Sequence, residues 1–137
     1  MADPELVAET RAWLVRAAED LRAAEFEFSA EPPFLSDISF HAQQAAEKAF
    51  KALLTWHNHP FRRTHSLEEL GEQCLSLDPS LRTLVDRAVP LTDYAWKFRY
   101  PGEPQAPVAS EARQALDLAR EVFEAVLMRL PQEARPS

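Results

Sequence analysis

The chain has 137 residues, with two Gly, eleven Pro, one Cys and a formal charge of −7. Those figures suit one folding unit long enough to bury a core, and they exclude an internal disulfide and a cysteine-based zinc site. They also argue against a general nucleic-acid binder, because neutralising many phosphates needs a basic footprint.

The opening MADPELVAET lacks the basic and apolar regions of a signal peptide, and no apolar run approaches about 18 residues. A soluble, cytoplasmic protein is therefore expected. Asp3 followed by Pro4 reads as a cap with Pro at the first helical position, opening a helix that runs to about Phe28. Leu14, Ala17, Leu21, Ala24 and Phe28 form its core stripe, and Glu19, Asp20, Arg22 and Glu25 read as solvated. Glu31-Pro32-Pro33 ends it, since Pro cannot continue a helix.

The second helix, capped by Ser36 or Asp37, centres on HAQQAAEKAFKALL from His41 to Leu54. Ile38, Ala42, Ala45, Ala49, Leu53 and Trp56 recur at steps of three and four, so they share one face. The alanines there let a neighbouring helix come close. His41, Gln44, Lys48, Lys51 and Thr55 make a polar stripe, and Phe40, Phe50 and Leu54 lie on a third face. Apolar residues on two sides require two partners, either two helices of the same chain or one from a second subunit. Phe40, Phe50 and Leu54 are therefore candidate dimer-interface residues, with the last helix as a second candidate surface.

His57 to Arg63 reads as a loop broken by Pro60. Its histidines have no acid within five residues to complete a metal shell, so no metal is expected. Ser66 with Glu69 fits a capping box, Thr64 being an alternative cap, and the short third helix buries Leu67, Leu70 and Cys74 or Leu75. Asp78-Pro79 opens a fourth helix with Leu81, Leu84, Val85 and Ala88 inward, and Pro90 predicts a kink or break near Val89. Arg99-Tyr100-Pro101-Gly102 follows the piece from Leu91 to Phe98, and Pro104 and Pro107 keep the next loop extended. Ser110 is placed as the cap of the last helix, whose stripe is Ala112, Ala115, Leu116, Ala119, Val122, Phe123, Val126, Leu127 and Leu130. The expected architecture is an all-α, up-down bundle of four long helices plus one short one, a single domain over 1–130 with a frayed tail at 131–137.

Charge is unevenly spread. Residues 1–40 carry nine acids against three arginines, whereas His41 to His65 holds Lys48, Lys51, Arg62 and Arg63 against Glu47 alone. That pattern predicts a local cationic notch suited to a small anionic ligand. Its candidate residues are Lys48, Lys51, Arg62, His65, Lys97, Arg99 and Tyr100, the last able to stack on a base, as are Tyr94 and Trp96. With two glycines and no Gly-flanked serine, neither a phosphate-binding glycine loop nor a serine nucleophile elbow is present, and no catalytic residue or cofactor is assigned.

HAQQAAEKAFKALL, THSLEEL from Thr64 to Leu70 and RYP from Arg99 to Pro101, in that order, resemble the HEPN domain family. The likeness runs from about Ala12 to Leu130. Many members of that family are metal-independent ribonucleases in which Arg, four to six residues and His meet across a dimer cleft. None of the four histidines here has Arg at that distance upstream, and Lys51, five residues and His57 is the nearest approach. Other compact members resemble the helical partner of a minimal nucleotidyltransferase, often in a toxin–antitoxin pair. The resemblance thus implies a homodimeric, non-catalytic nucleotide- or RNA-binding partner of such an enzyme. Its alternatives are a ribonuclease toxin with a divergent active site and an interaction module without a ligand.

Overall fold

The computed structural model describes residues 3–102 and 106–137, and all of the regular structure in them is helical. Helix α1 spans Pro4–Phe28, α2 Leu35–Trp56, α3 Leu67–Leu77, α4 Arg82–Ala88 and α5 Ala109–Met128. Short 3-10 turns lie at Pro79–Leu81, Val89–Ala95 and Gln132–Ala134. Pro104 lies outside the described residues, whereas Pro107 is buried.

Helix α2 is the axis of the molecule. It packs along α1 on one side and α5 on another, with α3 and the Val89–Ala95 turn closing over it. Ala42, Ala45, Ala46, Ala49 and Ala52 are all fully buried, which lets several backbones approach one helix at once. The two partners that its apolar faces require are therefore helices of its own chain. Phe50 and Leu54 have no exposed surface, so they cannot meet a second subunit, and of the expected interface trio Phe40 alone is half-buried.

Two helix starts are capped as expected. The Asp3 side chain accepts from the Glu5 N–H at 2.9 Å, and the Ser66 hydroxyl accepts from the Glu69 N–H at 3.1 Å. Thr64 adds to that cap by accepting from the Ser66 N–H, while the Glu69 carboxylate turns to Arg62 instead of closing the box. Two assigned caps are displaced. Helix α2 starts at Leu35 after Phe34, and α5 at Ala109 after Val108, neither with a side-chain cap. The helical region after Asp78 changes from α to 3-10 at Val89, one residue before Pro90, whose ring has no N–H to continue the ladder.

The C-terminal residues are docked, contrary to the frayed tail expected from their polarity. Ala134 is fully buried, the Arg11 guanidinium donates to the Glu133 carbonyl, and Arg135 donates to the Leu130 carbonyl. No helix among the described residues is long and apolar enough to cross a membrane.

Candidate ligand-binding surface

The polar stripe of α2 faces the rest of the fold, and its charges are answered there. Asp20, on the inner side of α1, receives Lys48 Nζ at 2.6 Å and His41 Nδ1 at 3.0 Å. It is nearly buried, a correction to its expected place on a solvated face. Lys51 is buried too, with its ammonium 2.8 Å from Glu47 Oε2 and 5.3 Å from the centre of the Trp13 ring. Phe61 meets Trp13 edge-on and flanks the same ammonium, giving it a cation–π setting on two sides.

Glu47 is the hub. Its Oε1 accepts from His65 Nδ1 at 2.8 Å and from Gln43 Nε2 at 3.1 Å, and Gln43 also donates to the His65 carbonyl. Burial alone would push this carboxyl up, but the hydrogen bonds from Lys51, His65 and Gln43 outweigh it and hold the group below the usual carboxylate range. Bonding Glu47 fixes a proton on Nδ1 of His65, which leaves Nε2 as the free nitrogen of an imidazole that is 64% exposed.

Arg62 donates from Nε to both Glu69 oxygens at 2.9 Å. Four members of the expected cationic notch (Lys48, Lys51, Arg62 and His65) are thus each matched to a carboxylate. The physical reason is distance: Asp20 and Glu69 lie far from these cations in sequence or on another helix, and folding brings them together. Lys51 in particular has no free face for a phosphate.

The remaining candidates lie outside that network. Arg99 stacks on Phe40 with its guanidinium carbon 3.9 Å from the ring centre, and it stays exposed. Lys97 lies 5.1 Å from the Phe98 ring centre, and Phe98 stacks on Tyr94. Among the described residues, no carboxylate lies within ion-pairing distance of Lys97 or Arg99. Tyr100 is 63% and Trp96 48% exposed beside them in sequence, whereas the Tyr94 hydroxyl is spent on Glu111. These side chains are cationic and aromatic, which is the chemistry that holds stacked bases and single phosphates.

Sequence reasoning overlooked Glu47, Gln43 and Asp20 as organising residues. Spacing could have found the first two, since Gln43, Glu47 and Lys51 succeed one another at intervals of four. Nothing local marks Asp20. Among the described residues no group of three His, Cys, Asp or Glu side chains could hold a metal ion.

A central alanine-rich helix wrapped by its own chain, with a Thr-His cap and an Arg-Tyr-Pro turn over one flank, defines a class of small helical domain. The chain matches the HEPN domain over residues 10–130 and belongs to that family. Nothing matches it among curated proteins, and nothing among solved structures.

Proposed function

We propose that this HEPN-domain protein is a non-catalytic, nucleotide- or RNA-binding partner of a minimal nucleotidyltransferase, working as a homodimer in a toxin–antitoxin pair. The observation that carries the reading is Arg99, exposed, stacked on Phe40 and without a carboxylate partner among the described residues. An arginine pinned by a ring keeps its outer N–H groups ready for phosphate. Lys97, Trp96 and Tyr100 extend that surface. The dimer would use the outer face of α5, where Met128 is 79% exposed and Leu118 and Ala125 are half-buried about two turns apart.

Titration with ATP, GTP and a single-stranded RNA octamer tests the ligand. Binding in the micromolar to millimolar range that weakens on Arg99→Ala supports the reading, since two or three charge-assisted bonds of about 1.5–3 kcal/mol each give that strength. No binding at millimolar concentration leaves an interaction module without a ligand. Co-purification with a nucleotidyltransferase encoded by a neighbouring gene tests the partner.

The Glu47–His65 pair favours a second reading, a ribonuclease with a divergent site, because a carboxylate-oriented imidazole with a free Nε2 is equipped for proton transfer. Digestion of total RNA that disappears in His65→Ala would support it. Digestion unchanged in that variant would remove it.

A further inference from the structure

The corner where α1 passes into α2 carries a surface used by none of the contacts above. Phe26 is 76% exposed and Phe34 57% exposed. They line one cavity of about 390 Å³ together with Ala23, Ala30, Glu27 and Asp37. The Phe34 N–H donates to the Glu27 carbonyl at 3.3 Å, which ties the start of α2 to the last turn of α1.

The two carboxylates are not equivalent. Asp37 sits in the first turn of α2, where backbone N–H groups with no side-chain cap answer its charge. Glu27 Oε1 is sheltered from solvent yet accepts no hydrogen bond. His41 Nε2 stands 3.7 Å away, beyond hydrogen-bonding distance though near enough to pair with the carboxylate when the ring is protonated, and the Nδ1 of that ring is committed to Asp20. Burial accordingly pushes the Glu27 carboxyl up. The cavity is acidic, aromatic and without a lysine or arginine in its wall.

A guest that suits such a wall has a positive charge, N–H donors and flat faces. An ammonium supplies the first two and a quaternary amine only the first, whereas a guanidinium supplies all three. The molecule already builds this arrangement from its own residues at the same turn of α1. Arg113 stacks on Phe28 with its guanidinium carbon 4.2 Å from the ring centre, and its Nη1 meets Glu25 Oε1 at 3.0 Å. We infer that the α1–α2 corner docks an arginine side chain of a partner protein, its guanidinium stacked on Phe26 and Phe34 and donating to Oε2 of Glu27, the oxygen of that carboxylate open to solvent. The inference is independent of the nucleotide reading, with which it shares no residue.

The test is a titration of the isotopically labelled full chain with the blocked tripeptide leucyl-arginyl-leucine amide, followed by amide chemical shifts. Expected are shifts confined to residues 23–37, with weaker binding of the lysine tripeptide and none of the norleucine tripeptide. Glu27→Gln and Phe26→Ser, the latter at an exposed position that the fold does not need, should each weaken binding by about threefold to fivefold, the scale of one exposed cation–π or ionic contact. Unchanged thermal melting of both variants shows that the fold is intact. Absence of localised shifts, equal binding of the norleucine tripeptide, or full binding by both variants would each overturn the inference.

Discussion

His65 Nδ1 stands 2.8 Å from Glu47 Oε1, and this contact fastens the loop before α3 to the middle of the central helix. The same carboxylate holds the buried Lys51 ammonium through its other oxygen. One side chain therefore satisfies a loop, a helix and a buried cation together.

Glu47→Ala should destabilise the protein by about 3–5 kcal/mol, because it strands Lys51 as an uncompensated buried charge. The double variant Glu47→Leu with Lys51→Met should recover most of that loss, since an apolar pair needs no solvation. Urea denaturation of the three proteins checks both. A loss below about 1 kcal/mol in Glu47→Ala, the level of an exposed pair, would show that the network is wetter than it looks.

Stability should fall on both sides of a maximum in pH. The hydrogen bond to Asp20, against burial, raises His41 above its ordinary value of 6.5, so its contribution is complete below 6.5 and is lost as pH rises through the elevated folded value. Glu47 is lowered from 4.5, and Asp78 is lowered from 3.8 to about 2 by hydrogen bonds from Ser80 and Arg129. Their contributions are complete above the ordinary values and are lost as pH falls through the depressed ones. Glu27 has the opposite sign on the acid side, since burial raises it above 4.5 and protonation relieves that cost. Thermal melts from pH 2 to 9 should show the alkaline loss shrink in His41→Gln and the acid loss shrink in Asp78→Asn.

Gly71→Ala opposes two effects on α3. Alanine is the better helix former by about 1 kcal/mol. The added Cβ, however, would lie 2.5 Å from Val85 Cγ1, and a branched side chain in a helix has little freedom to turn away. Overpacking of this kind costs about 1–3 kcal/mol, so the net change is a loss. Adding Val85→Ala should remove the clash, and the double variant should then lie closer to the parent than the sum of the singles predicts. Simple additivity would mean that the two helices separate freely.

Cys74 should resist alkylation in the native protein. Burial pushes its thiol up to about 12, and the side chain has no exposed surface. Iodoacetamide at pH 8 should label it only at the rate of unfolding, and rapid native labelling would contradict the buried placement.

Met128→Glu should convert a dimer to a monomer if α5 supplies the contact, because the substitution places a charge on the most exposed apolar side chain of that helix. Light scattering of both proteins gives the masses. A dimer that survives the substitution would place the interface elsewhere.

The elements themselves were written into local sequence. Asp3-Pro4 and Ser66 cap the helices they were expected to cap, and Pro90 marks the change to 3-10 geometry. Along α5, Ala112, Ala115, Leu116, Ala119, Val122 and Val126 are buried as their spacing demands, while Phe123 and Leu127 of the expected stripe are half-buried. Resemblance to the family was legible for the same reason, since three short segments in a fixed order survive without any knowledge of packing.

What covers each face was a matter for tertiary structure alone. A 3.6-residue period shows that Phe50 and Leu54 are apolar together, but a covering helix and a covering subunit leave the same trace in sequence. Charge pairing is equally non-local: Lys48 finds Asp20 across 28 positions, and Arg120 finds Glu25 across 95. The run of cations from Lys48 to His65 determined where positive charge gathers along the chain. Only the fold, by setting Asp20, Glu47 and Glu69 against Lys48, Lys51, His65 and Arg62, decided which of those charges are answered, while Lys97 and Arg99 meet no carboxylate among the described residues.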